Sequence, residues 1–66
     1  MKIGEQLKNG AIVVATKPFA GKEIVLACGW NEVTPYVTWN CWDGVCENGH
    51  YHHNLNDAVE EFNSRI

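Results

Sequence analysis

Two Xaa-Gly turn signals strictly limit how this chain can fold. Asn9-Gly10 and Asp43-Gly44 each lie between short apolar segments. Both residues of such a pair tolerate positive φ, so these dipeptides favour tight β-hairpin turns. Parallel strands would need long crossover connections, and such connections are absent. The sequence therefore predicts an antiparallel β-meander.

The apolar segments between the turn signals are short enough to be single strands. A short first strand or extended arm is expected before Asn9-Gly10. Strands then follow at about residues 11–17, 23–29, 36–42 and 45–52. Pro18 and Gly21 mark one turn, and the segment before Pro35 is a loop because proline removes a ladder donor. Gly49 is a predicted bulge or point of close approach.

The C-terminal segment has the periodicity of a helix. Its apolar residues recur at spacings of three, four and seven, namely Leu55, Ala58, Val59, Phe62 and Ile66. Asn54 is the predicted N-cap, and Asp57 is placed to reach back in a capping-box manner. We therefore predict one α+β domain over residues 1–66. It is a meander of three to four strands, curled or open, with the helix on one face.

Two of the predicted strands are apolar on both faces. Val13-Val14 and the run from Ile24 to Cys28 do not alternate with polar residues, as a sheet with one solvated face would require. Either the sheet curls towards a barrel, or a second subunit, as in a homodimer, covers the open face. The buried face of the third strand is left open between two sets: Val37, Trp39 and Cys41, or Tyr36, Thr38 and Trp42.

Charge and cysteine content bear on partners and location. The 66 residues have a net charge of −3 and no basic run, which argues against a nucleic-acid surface. Weak nucleic-acid binding is kept only as a third hypothesis. Neither a secretory signal nor a membrane span is expected, and three cysteines suit reduced thiols in a cytoplasm.

One group of residues has the chemistry of a metal site. Cys41, Cys46, His50 and His52 are of the types that zinc prefers, although their spacing matches no standard zinc motif. A regular strand would place His50 about 13 Å beyond Cys46, so both could bind one ion only if Gly49 bends the strand. Cys41 and Cys46 lie opposite each other across the hairpin, where they could share a metal or form a disulfide.

Catalytic patterns are missing and aromatic residues are frequent. No phosphate-binding loop, nucleophile elbow or Ser-His-Asp pattern is found, so an enzyme is not expected. Trp30 and Trp42 fall at predicted turns, and together with Tyr36 they are the candidate anchors for a protein partner. The alternative is that these rings have only a structural role, in the hydrophobic core.

Three short motifs resemble those of a group of small uncharacterised phage and prophage proteins. The motifs are Tyr36-Val37-Thr38-Trp39, Gly49-His50-Tyr51, and Leu55 with Ala58 and Phe62. The resemblance covers nearly the whole chain and brings no established activity. It implies an accessory protein that binds a host or phage protein inside a bacterial or phage-infected cell.

Overall fold

The computed structural model describes residues 2–43 and 45–65, which form an α+β fold. Four strands lie in the order β1-β2-β3-β4, and every neighbouring pair is antiparallel. The elements are β1 (Ile12–Phe19), β2 (Lys22–Cys28), β3 (Tyr36–Trp42), β4 (Val45–His52) and α1 (Leu55–Ser64). The predicted meander with a C-terminal helix is confirmed.

The tight turns lie where the sequence predicts them. Ala20 and Gly21 have φ values of 50° and 79°, as the two-residue turn between β1 and β2 requires. Asp43 also has a positive φ, of 49°, and Gly44 lies outside the described residues. Before β1, the Asn9 side chain accepts a hydrogen bond from Ala11 N at 3.0 Å and fixes the first turn.

The segment before β1 is an extended arm with one β-bridge. Gln6 and Ile12 form that isolated bridge. Further hydrogen bonds run from Gly4 N to Val13 O at 2.7 Å and from Val13 N to Glu5 O at 2.9 Å. The arm therefore covers the outer edge of β1 where that strand begins, which protects an otherwise unpaired edge.

Both edge strands contain a bulge. On β4, Thr38 pairs with His50 and Asn40 with Glu47, so Asn48 and Gly49 together oppose one residue of β3. Asn48 has the positive φ of 55°, and a Cβ at Gly49 would lie 2.7 Å from Trp39 Nε1. Gly49 is thus both at a bulge and at a close approach, as predicted. On β1 the register shifts between Val13 and Ala15.

The sheet buries apolar residues on both faces without closing into a barrel. α1 packs against β2, β3 and β4, over a face that contains Ile24, Leu26 and Thr38. The opposite face holds the main core, formed by Ala11, Val13, Val25, Ala27, Val37, Trp39 and Cys41. Leu7 of the arm, Trp30 and Cys46 pack against it. The sheet is therefore open rather than a closed barrel, and residues of the chain itself pack on both of its faces. Covering of a face by a second subunit stays a prediction.

The third strand contributes to both layers. Val37, Trp39 and Cys41 face the main core, while Thr38 is buried on the helix side. Trp42 is exposed at the end of the strand. Of the two sets that the sequence left open, the one that faces the main core is therefore Val37, Trp39 and Cys41.

α1 begins at a side-chain N-cap, and only part of its apolar stripe is buried. Asn54 Oδ1 accepts from Asp57 N at 2.9 Å, as an N-cap does. The Asn54 side-chain amide also donates to Asp57 Oδ2 at 3.1 Å. Of the predicted apolar stripe only Ala58 is fully buried, whereas Leu55 and Val59 are 46% and 38% exposed. Ile66, the last residue of that stripe, lies outside the described residues.

Candidate functional site

A disulfide closes a short loop at the turn of the β3–β4 hairpin. Cys41 and Cys46 are register partners, and a disulfide joins them with their Cα atoms 4.0 Å apart. The non-hydrogen-bonded pairs of antiparallel strands have the shorter Cα–Cα separation, which brings their side chains close together. Cys28 has no disulfide partner. The structure thus contains the cross-strand disulfide that was one alternative from the sequence, rather than three reduced thiols.

Trp42 follows the disulfide and projects from the same hairpin. Its side chain is 38% exposed, and Lys22 Nζ lies 4.3 Å from the centroid of its ring. The Lys22 ammonium also bonds Glu47 Oε1 at 3.0 Å. Exposed ion pairs of this kind add little stability, but this pair places the Lys22 ammonium over the face of the indole ring, where a cation–π interaction is favourable. We call Lys22, Trp42, Val45 and Glu47 the hairpin-tip surface.

Trp30 belongs to an aromatic cluster on the other face. Its ring meets Trp39 edge to face, with centroids 5.6 Å apart, and lies 5.9 Å from the ring of Tyr51. Trp30 is therefore half-buried and covers the main core. Tyr36 is also half-buried, at the far end of β3 from Trp42. The three predicted anchor residues do not form one surface, and Trp42 is the most exposed of them.

The predicted zinc ligands are not brought together. Cys41 faces the main core and is bonded to Cys46, whereas His50 pairs with Thr38 on the helix side of the sheet. His52 lies two residues further along β4. Within the described ranges, no group of three or more His, Cys, Asp or Glu residues is arranged to hold a metal. Zinc binding stays a prediction, and it would require reduced cysteines and a rearranged β4.

His50 instead takes part in a polar network that attaches α1 to the sheet. His50 Nδ1 lies 2.8 Å from Glu61 Oε1, and Arg65 Nε is 3.4 Å from Glu61 Oε2. The hydrogen bond from His50 is the main cause that lowers the pKa of Glu61 below its ordinary value of 4.5, with smaller help from the Arg65 charge. The Arg65 guanidinium also donates to Asn40 Oδ1 at 2.9 Å and to Asn48 O at 2.6 Å.

A shallow cavity of about 290 Å³ adjoins this network. Its lining includes Phe19, Ile24, His50 and Arg65. The polar groups in the lining already bond each other, so they offer a ligand few free donors. The cavity is therefore bordered by the same side chains that attach α1 to the sheet.

Sequence reasoning missed most of the residues around Trp42 and His50. Lys22, Glu47, Glu61 and Arg65 are ordinary charged residues in the sequence, and their partners lie between 4 and 25 positions away. The spacing from Glu61 to Arg65 is the one signal that could have been used, since residues at i and i+4 are neighbours on a helix. The other pairs depend on strand register.

Comparisons with known proteins identify no relative of this chain. No family model matches the chain, and neither the curated proteins nor the solved structures contain a match. Among the residues that the structure describes, no helix is long and apolar enough to cross a membrane. The resemblance to small phage and prophage proteins is therefore still a prediction from sequence motifs.

Proposed function

We propose that this protein is a small protein-binding module that contacts its partner through the hairpin-tip surface. The observation that supports this most directly is the exposed Trp42, which follows the disulfide-bonded Cys41 in β3. Tryptophan is enriched among the residues that contribute most to protein–protein binding. A ring that is already held in place loses less conformational freedom on binding, which favours affinity.

The surroundings of Trp42 define the kind of partner surface. Val45, its register partner, is 54% exposed and extends the apolar area beside the ring. Asp43 and Glu47 add carboxylates, of which Glu47 is paired with Lys22. An apolar pocket with a basic rim on the partner would match this surface. Trp30 and Tyr36 are assigned a supporting role, because both are half-buried.

The biological setting is also part of the proposal. Following the sequence resemblance, we propose an accessory role in the cytoplasm of a bacterial or phage-infected cell. Disulfides are rare in a reducing cytoplasm, so Cys41 and Cys46 would be thiols there unless an oxidant forms the bond. The strand pairing of Cys41 with Cys46 and of Trp42 with Val45 would remain to hold the tip.

The proposal is tested by site-specific photocross-linking in bacterial cells. A photoreactive phenylalanine analogue is placed at Trp42, and a matched variant has it at Val33, which is 71% exposed in a loop outside the hairpin. We expect a discrete cross-linked protein from position 42 that untagged wild-type protein competes away and the Trp42→Ala protein does not. Equal products from both positions, or equal competition by Trp42→Ala, would overturn the assignment.

A further inference from the structure

The two bonded cysteines differ in their access to solvent. Cys41 lies in β3, between β2 and β4, and is 1% exposed. Cys46 lies in β4, the last strand of the sheet, and is only partly buried. The rate of thiol–disulfide exchange depends on which sulfur the incoming thiolate can reach. An external thiolate that attacks this bond therefore reaches the sulfur of Cys46 and displaces Cys41 as the leaving thiolate.

The third cysteine is too far away to take part. Cys41 pairs with Glu23 of β2, and Cys28 ends the same strand, five residues after Glu23. At about 3.3 Å per residue this is about 17 Å along β2, whereas cysteines more than about 7 Å apart between Cα atoms cannot be bridged without backbone movement. Cys41 and Cys46 therefore open and close their bond as an isolated pair, and strand register keeps the two thiols beside each other.

The bond encloses the two exposed apolar residues of the hairpin-tip surface. Trp42 and Val45 are register partners and lie between the two bonded cysteines in the chain. With the bond closed, the turn has fewer conformations open to it, so Trp42 loses less freedom when it binds a partner. With the bond open, strand pairing alone holds the same residues. The redox state of the cysteine pair therefore acts on the surface to which partner binding is assigned.

We propose that the Cys41–Cys46 pair is a reversible thiol–disulfide switch that strengthens binding at the hairpin-tip surface when it is oxidised. In the oxidation, the Cys46 thiolate attacks a small disulfide of the glutathione class and expels one small thiolate. The Cys41 thiolate then attacks the Cys46 sulfur and expels the second. Two cysteine thiols and one small disulfide thus give the closed bond and two small thiols, which take up the protons that the cysteines release. Cytosolic disulfides, where they form, are usually transient and serve in catalysis or redox sensing.

The first test asks whether exchange enters at Cys46. In a Cys28→Ser background, Cys41→Ser leaves Cys46 as the only thiol, and Cys46→Ser leaves Cys41. Each folded variant is incubated with oxidised glutathione, and intact-mass spectrometry follows the mixed disulfide. We expect Cys46 to react at least about tenfold faster than the buried Cys41, because exchange depends on access to the sulfur. In urea the two variants should react at similar rates. Equal rates in the folded proteins would overturn the proposal.

The second test rests on the proposed function and asks whether the bond changes binding. The photocross-linking probe at position 42 is compared with and without the pair Cys41→Ser and Cys46→Ser, in cells exposed to the thiol oxidant diamide. We expect a several-fold loss of cross-linked protein when both cysteines are replaced, and no change with Cys28→Ser. Circular dichroism checks that each variant is folded.

The possible failures of this second test are distinguishable. Equal cross-linking with and without the cysteine pair would overturn the switch and leave the proposed function intact. No cross-linked protein in either background would overturn the proposed function and the switch with it, whatever the exchange rates of the two cysteines.

Discussion

At the residue scale, the absence of a side chain at Gly49 is what allows two aromatic rings to pack. An added Cβ would lie 2.7 Å from Trp39 Nε1 and 3.0 Å from the Tyr51 hydroxyl. Trp39 is almost completely buried and also contacts Trp30, so its ring cannot move away freely. The glycine is therefore required for space, whereas Gly21 is required for its positive φ of 79°.

Gly49→Ala is accordingly expected to lower the free energy of unfolding by about 1–3 kcal/mol, the usual cost of an overpacked core. Urea denaturation of the variant and of the wild type measures this difference. The same substitution in a Trp39→Phe background removes the closest atom, so the two changes should couple and the added cost should shrink. A cost that is unchanged in that background would mean that the contact with Trp39 is not its cause.

Glu61 is the residue through which pH should act on the attachment of α1. Its pKa is lowered in the folded protein, chiefly by the hydrogen bond from His50. The unfolded chain therefore takes up this proton first as the pH falls. The stabilisation from Glu61 is fully present above its ordinary pKa of 4.5 and is lost as the pH falls through the lowered folded value.

Glu61→Gln should consequently flatten the loss of stability that the wild type shows as the pH falls below the ordinary Glu61 pKa of 4.5. Urea midpoints measured above and below that pH give the comparison. Glu60→Gln is the control, because it removes the neighbouring exposed carboxylate and leaves the His50–Glu61 bond in place. A steep acid dependence that persists in Glu61→Gln would contradict the role assigned to this pair.

At the element scale, the disulfide and the strand pairing act on the same hairpin. Cys41 and Cys46 are five residues apart and already paired in the ladder, so the bond closes only a small loop. In the chain-entropy description, a loop of this length stabilises the folded state by about 2 kcal/mol. The hairpin should therefore persist without the bond, although less stably.

Reduction is expected to lower the free energy of unfolding by about 2 kcal/mol while the far-ultraviolet circular dichroism spectrum stays that of the folded protein. Thiol titration should find one reactive thiol before reduction, from Cys28, and three after it. Cys28→Ser serves as the control and should still respond to reductant. A denaturation midpoint that is insensitive to reductant in the oxidised wild type would contradict this account.

At the scale of the whole molecule, the N-terminal arm completes the fold. Leu7 packs against the core of the sheet face that α1 does not cover, and Leu7 N bonds Ala11 O at 2.8 Å. Small domains bury a low fraction of their surface, so each such contact is a large part of the total stability. The arm thus covers part of the sheet face that α1 does not contact.

Leu7→Ser is therefore expected to destabilise the protein by about 1–3 kcal/mol, the order of the burial energy of one aliphatic side chain. Ile3→Ser is the matched control in the same arm, because Ile3 is 71% exposed. Thermal and urea denaturation of the two variants give the comparison. Equal effects of both substitutions would show that the arm does not act through the packing of Leu7.

The sequence by itself determined the elements and most of their ends. Hairpin turns depend on two adjacent residues, and the helix stripe on spacings of three and four, so both are readable within short windows. The four strands, α1, its Asn54 cap and the close approach at Gly49 follow from such local signals.

Only the tertiary structure decided which residues lie together around each candidate site. One bulge in β4 sets which of its residues face the helix, and it leaves His50 beside Glu61 rather than beside Cys46. α1 contacts three of the four strands and leaves Leu55 and Val59 partly exposed, although the helix stripe alone would predict their burial. Register and docking join residues far apart in the chain, and no local pattern fixes them.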